Sequence, residues 1–214
     1  MLISFNLMLN LTTLVASSLV AATALVPISA TASTNSKTDI AVNSQTQISE
    51  PIEIRQKGTR YVCKGCNDYE NQTLEALQDR GILDKNALAT IMGNIYQESN
   101  FIPNICEGGA RVTYENCRRG GFGLIQFTAI SRYNGLGMFA KQVGGDPSSF
   151  PTQLNYMFTE PEWLRIEEKL KTPGKPIERY MAYAHSWLGW GIHGGRTAHA
   201  YNYARRLVPV ETDT

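Results

Sequence analysis

Residues 87–99 read ALATIMGNIYQES. Leu88, Ile91, Met92 and Ile95 recur at i, i+3, i+4 and i+7, the spacing of one apolar stripe on an α-helix and not the alternation of a strand. Asp84 stands three residues ahead of the run and suits an N-cap. Glu98 then falls three residues after Ile95 and seven after Ile91, on the same face. A carboxyl group there has two fates. It frays outward at the helix end and is solvated, or it lies against the core or the floor of a cleft. In the second case burial disfavours the charged form, and the unpaired carbonyls of the helix C-terminus repel negative charge. Both effects hold the proton towards neutral pH, which general-acid catalysis requires.

Most of the remaining pattern is helical. Leu74 and Leu77 run towards Gly81, a C-terminal stop. Thr128 is placed to cap residues 129–143, where Ile130, Tyr133, Leu136, Phe139 and Val143 recur and where Gly135 and Gly137 should loosen the helix. Pro147 and Pro151 open a short helix bearing Leu154, Met157 and Phe158. Pro161 occupies an N1 position before EWLRIEEKL. Ile177, Tyr180, Met181, Ala184 and Leu188 mark another helix, and TAHAYNYARRL is expected to run to Pro209. Residues 102–127 carry Pro103, Gly108, Gly109, Gly120, Gly121 and Gly123 and read as loop and short-strand territory. No strand longer than a few residues is convincing. The expected fold class is mainly α, a helical domain with a small β or loop excursion between helices.

Charge divides the chain. No Lys, Arg, Asp or Glu precedes Lys37, residues 7–26 are mostly apolar or small, and PISATAS follows. Residues 1–32 therefore read as a secretory signal peptide cut after Ala32, although the n-region lacks a basic residue. An uncut membrane anchor is the alternative, weakened by the polar Asn10, Thr12, Thr13, Ser17 and Ser18. Residues 33–57 are polar, without periodicity, and read as a flexible linker. Residues 58–210 form the folded domain. A formal net charge of +1 over 214 residues gives no electrostatic case for nucleic acid, and no stable membrane insertion is expected after signal removal. The expected location is secreted or periplasmic.

Export makes four cysteines, Cys63, Cys66, Cys106 and Cys117, a disulfide signal with three possible pairings. The nearest-neighbour pairing is the simplest. A four-thiolate zinc site competes, but ten residues separate Cys106 from Cys117, where a zinc ribbon wants about two to four. No βαβ pattern surrounds Cys63-x-x-Cys66 to suggest a redox centre. His185, His193 and His199 are spaced eight and then six apart, which fits no common ligand pattern, so neither metal nor cofactor is expected.

NIYQESNFIPN, GGFGLIQFT and YMAYAHS together resemble the lysozyme-like superfamily of goose-type lysozymes and lytic transglycosylases. The stretch from ALATIMGNIYQES through GLIQFT, TQLNYM and ERYMAYA looks closer still to the lysozyme domains of phage tail proteins. The resemblance covers roughly residues 70–207. It implies a lysozyme-like α+β fold with the excursion flanking a substrate cleft, and an enzyme that cleaves the β-1,4 bond between N-acetylmuramic acid and N-acetylglucosamine in peptidoglycan. Glu98 matches the catalytic acid. Ser99 matches a Ser near substrate or acid. Gly123, Leu124 and Gln126 match a turn lining a sugar subsite, and Tyr183 matches a Tyr whose hydroxyl supports the acid. Ile125 stands where Met is usual, and Ala184 where Asn is common. The chemistry is coherent: Gly121 and Gly123 would let backbone approach a sugar ring, and Gln126 offers donors and an acceptor to hydroxyl and N-acetyl groups. The bland readings are an ordinary tight turn and a Gln bonding its own backbone.

A two-acid glycosidase needs a second carboxyl group at ~5–5.5 Å or ~6.5–9.5 Å. Glu107, Glu115 and Asp146 are the nearest in sequence, each more at home as a solvated loop acid. In the related transglycosylases one Glu suffices and the sugar's own hydroxyl is the nucleophile, so hydrolysis and anhydro-sugar formation both stay open. Trp187 and Trp190 read first as core and second as a sugar-stacking wall. A non-catalytic glycan-binding module on the same scaffold is the competing function.

Overall fold

Local sequence sets where the central helix begins and ends. Asp84 Oδ1 accepts hydrogen bonds from the Asn86 and Ala87 backbone N–H groups at 2.9 and 3.0 Å, which satisfies donors that the first turn leaves open. Asp84 Oδ2 accepts from the Gly174 N–H at 2.7 Å and so fastens a distant loop to the same cap. The helix closes on Asn100 in the left-handed conformation. In the computed structural model residues 59–210 are described. The signal peptide and linker expected over 1–57 lie outside them.

The elements are β1 (Arg60–Cys63), α1 (Asp68–Asp79), α2 (Lys85–Ser99), α3 (Ile130–Val143), α4 (Phe150–Met157), α5 (Pro161–Lys171), α6 (Ile177–Leu188), α7 (Arg196–Arg206) and β2 (Leu207–Val210), with a 3₁₀ turn at Tyr114–Asn116. The domain is mainly α, as the periodicity implies. The excursion between α2 and α3 holds isolated bridges Ile105–Arg111 and Cys106–Phe122. The cysteines pair as nearest neighbours, Cys63–Cys66 and Cys106–Cys117, and the second disulfide closes this excursion.

α2 is the axis of the fold. Leu88, Ile91, Met92 and Ile95 are fully buried, and the helix packs on α1, α6 and, most extensively, α7. Gly93 permits that last contact. A Cβ there would lie 2.5 Å from the Ala200 backbone nitrogen, so only a residue without a side chain lets the two backbones approach so closely. Around this axis sit Trp163 and Trp187, edge to face at 5.1 Å, with Phe101, Phe122, Phe127, Tyr180 and Tyr203. Trp187 is therefore core.

Four sequence expectations need correction. α7 stops at Arg206 and not at Pro209, because Leu207–Val210 extends and pairs antiparallel with Arg60–Cys63 in the register Arg60–Val210 to Cys63–Leu207. Pro209 is tolerated because both strands of a two-stranded sheet are edges. Thr128 does not cap α3; its hydroxyl donates to the Gln126 carbonyl at 2.8 Å, and the helix starts after Ala129. Ile130 and Val143 are exposed, which leaves Leu136 and Ala140 as the buried stripe of α3. Gly135 and Gly137 are not points of looseness: the Tyr156 and Tyr114 rings occupy the space that side chains there would need.

Candidate active site

Glu98 sits in the last turn of α2, with its side chain 15% exposed. Burial pushes its carboxyl above the usual range, against the opposing pull of Arg196 and, more weakly, Arg132. Desolvation is the larger effect. Glu98 thus lies partly buried at the end of the apolar face of α2, and its surroundings are not apolar throughout.

Arg196 opens α7 and is almost completely buried. Its Nη2 donates to Glu98 Oε1 at 2.7 Å, and its Nη1 donates to Asn94 Oδ1 at 3.2 Å. The Trp190 ring lies 4.4 Å from the guanidinium carbon, a cation–π contact. Gln97 Oε1 accepts the Gly195 N–H at 2.8 Å and pins the start of α7 to α2. Three successive-face residues of α2 (Asn94, Gln97 and Glu98) thus hold the N-terminal end of α7.

The other side of the site is the turn 122–127. Ser99 is buried, and its hydroxyl donates to the Leu124 carbonyl at 2.6 Å. It therefore fastens the turn beside α2 and does not reach into open space. Leu124 is fully buried, so its side chain supports the turn from below. Its N–H donates to Gln153 Oε1 at 2.7 Å, while Gln153 Nε2 donates to the Pro103 and Pro147 carbonyls at 2.7 Å each. A side chain at Gly123 would overlap that Gln153 amide, and its φ of +73° suits glycine. The glycine thus serves the internal amide brace. Gln126 is half-buried, with Nε2 donating to the Gly123 carbonyl at 3.0 Å. Its Oε1 makes no hydrogen bond among the described residues.

Backbone strain gathers here. Among the described residues, the non-glycine positions with positive φ are Asn100, Phe101 and Gln126. Two directly follow Glu98 and Ser99, and the third is on the facing turn. Left-handed conformations at such residues cost about 1–3 kcal/mol each and persist where surrounding structure dictates them, which is common at functional sites. Phe101 is fully buried and makes an edge contact with Tyr203.

The structure joins Glu98, Ser99, Gly123, Leu124 and Gln126 through this pair of segments. It does not join Tyr183 to them. Tyr183 lies on α6 with Lys169 and Arg179 over its ring at 5.6 and 5.5 Å, and its hydroxyl makes no hydrogen bond among the described residues. The nearby acids in sequence stay in loops. Glu107 accepts from the Gly121 N–H, Asp146 accepts from the Ser148 N–H, and Glu115 is exposed.

Sequence reasoning missed Arg196 and a second pair near it. Arg132 on α3 donates from Nε and Nη2 to both oxygens of Glu160 at 2.7 and 2.6 Å, and Glu160 is 2% exposed. Burial raises the Glu160 carboxyl and Arg132 opposes. Arg196 is 98 positions from Glu98, and no local pattern marks the partnership. Among the described residues no cluster of three or more His, Cys, Asp or Glu could hold a metal ion, and no helix is long and apolar enough to cross a membrane.

No curated protein and no solved structure matches the chain. The sequence pattern of the phage tail lysozymes does, over residues 68–207, from the first turn of α1 to the first residue of β2. That span contains α2, the braced turn, Arg132 and Arg196 together, and on it the chain belongs to the phage tail lysozyme family.

Proposed function

We propose that the protein is a peptidoglycan-degrading glycosidase that cleaves the β-1,4 bond between N-acetylmuramic acid and N-acetylglucosamine, with Glu98 as its general acid and base. The observation that carries this reading is Glu98 itself, a carboxyl group raised by burial yet still partly open to solvent at a strained helix end. A glycosidic oxygen is a poor leaving group until protonated, and Glu98 supplies that proton as the C–O bond breaks. The resulting carboxylate then accepts a proton from water, giving hydrolysis, or from the sugar's own 6-hydroxyl, giving an anhydro product.

A single-acid mechanism suits the surroundings better than a two-acid one. Glu160 has both oxygens occupied by Arg132, and Glu107 and Asp146 hold turns. Gln126 Oε1 is a side-chain acceptor of the turn without a partner among the described residues, suited to a sugar hydroxyl or the N–H of an N-acetyl group. Two disulfides fit an oxidising compartment outside the cytoplasm, in keeping with an exported, wall-acting enzyme.

Glu98→Gln is expected to abolish the turbidity loss of purified cell walls while the thermal unfolding transition is retained. Full activity in that variant removes the proposal. Mass spectrometry of the released muropeptides reports which bond is cut and whether the ends are hydrolysed or anhydro. Binding to insoluble peptidoglycan with no released muropeptides in the unaltered protein would assign a glycan-binding module instead.

A further inference from the structure

Among the described residues three other Arg–Glu pairs have a buried carboxylate, and in each both carboxylate oxygens are hydrogen-bonded. Glu70 accepts from Arg206 and the Tyr203 hydroxyl on Oε1 and from the Asn67 N–H on Oε2, and the other two pairs are two-pronged. Arg132 grips both oxygens of Glu160, and Arg80 grips both oxygens of Glu167 at 2.9 and 2.8 Å. That is the usual fork geometry of a structural pair. The Arg196–Glu98 pair departs from it. Arg196 reaches Oε1 through Nη2 alone, its Nη1 is taken by Asn94, and its buried Nε has no partner. Oε2 of Glu98 is left without a hydrogen bond among the described residues, on the more exposed member of the pair.

We propose that Arg196 is the positioning residue of the catalytic acid: it locks Oε1 so that the reactive proton resides on Oε2, and it attracts the carboxylate that appears as that proton leaves. This rests on Glu98 being the acid. Three contacts hold the guanidinium in place: the Asn94 side chain, the Trp190 face and the Gln97–Gly195 bond that fixes the start of α7. The attraction between Arg196 and Glu98 is stronger once Glu98 is anionic, so it stabilises the transition state for proton donation more than the ground state. Burial acts in the opposite sense and raises the carboxyl. The charged groups facing Glu98 are Arg196 from α7 and, more weakly, Arg132 from α3. Glu160 neutralises Arg132, which leaves Arg196 as the dominant influence. His199, one turn along α7, packs on Tyr96, and burial, followed by Arg196, holds it below its ordinary value.

The test combines kcat/KM against pH on purified peptidoglycan with an NMR titration of the Glu98 carboxyl carbon, in wild type, Arg196→Gln and Arg196→Lys. In Arg196→Gln the carboxyl is expected to titrate at higher pH than in wild type. The alkaline limb of the activity profile should move up with it, and kcat below that limb should fall on the order of 10²-fold, the cost of a misaligned reacting group. Arg196→Lys should keep the limb near wild type but recover only part of kcat, since an ammonium is a point charge without the planar fork. Superimposable Glu98 titrations in wild type and Arg196→Gln overturn the proposal. If the Gln variant does not fold, Arg196→Lys decides alone, and a kcat within about twofold of wild type overturns the positioning role. A Glu98 titration that moves with Arg196 in a protein without lytic activity supports the electrostatic pairing and sinks the proposed function instead.

Discussion

Replacing Gly93 with Ala should be destabilising, although alanine is the better helix former by about 1 kcal/mol. The new Cβ would lie 2.5 Å from the Ala200 nitrogen, 2.8 Å from its Cα and 2.9 Å from the His199 carbonyl carbon. All three are backbone atoms of α7, so no side chain can rotate away. Ordinary contact requires about 3.5–4 Å, so α2 and α7 must part by roughly 1 Å. Overpacking of this kind costs about 1–3 kcal/mol. Set against the propensity gain, the net loss is up to about 2 kcal/mol, or a fall in Tm of up to roughly 8 °C for a domain of this size. The same movement stretches the 2.7 Å Arg196–Glu98 bond beyond useful hydrogen-bond length. Lytic activity should therefore fall further than stability does, on the order of 10²-fold. Thermal unfolding and wall-turbidity assays measure the two effects, with Gly191→Ala as control, because nothing lies within 4 Å of a Cβ there. A Gly93→Ala protein as stable and as active as wild type would refute the close helix contact and its coupling to the site.

Ser99→Ala removes the bond to the Leu124 carbonyl and leaves that buried acceptor unpaired, which should cost about 1–3 kcal/mol in urea unfolding; an unchanged midpoint would contradict it. The raised Glu98 carboxyl predicts a pH effect on stability. Between its ordinary value of 4.5 and its raised folded value, the native state binds more protons than the unfolded state, so stability falls as pH rises through that window. Glu98→Gln should show a shallower decline as pH rises above 4.5, and parallel curves would be inconsistent with a raised carboxyl. Replacing Cys106 and Cys117 by Ser should cost roughly 3 kcal/mol, and replacing Cys63 and Cys66 about 2, because the first bridge spans eleven positions and the second three. A reversed order in denaturant unfolding would show that native contacts, not loop closure, set the effect.

What was legible in the sequence was local. The stripe of Leu88, Ile91, Met92 and Ile95, the Asp84 cap and the N1 proline at Pro161 each follow from contacts within one or two turns, and all appear as read. The placement of Glu98 against the core was legible because its neighbours on that stripe are buried. Its contact with Arg196 was not, since that depends on α7 returning beside α2, and the Glu-Arg separation of 98 residues carries no periodic trace. The β1–β2 pairing was hidden for the same reason: two four-residue strands at opposite ends of the domain have no alternation long enough to read. Gly123 was assigned to sugar approach, whereas the space over it belongs to Gln153, an internal residue with no motif of its own. Tyr183 matched by order along the chain, but its helix turns that ring towards Lys169 and Arg179.

The antiparallel register of Arg60 with Val210 has a consequence for architecture. Paired strands lie about 4.8 Å apart, so the polypeptide enters and leaves the folded body side by side. Such a body can be spliced into a surface loop of another protein with little distortion of its host. It should equally tolerate circular permutation, with a short bridge across the old ends and new termini opened in an exposed loop.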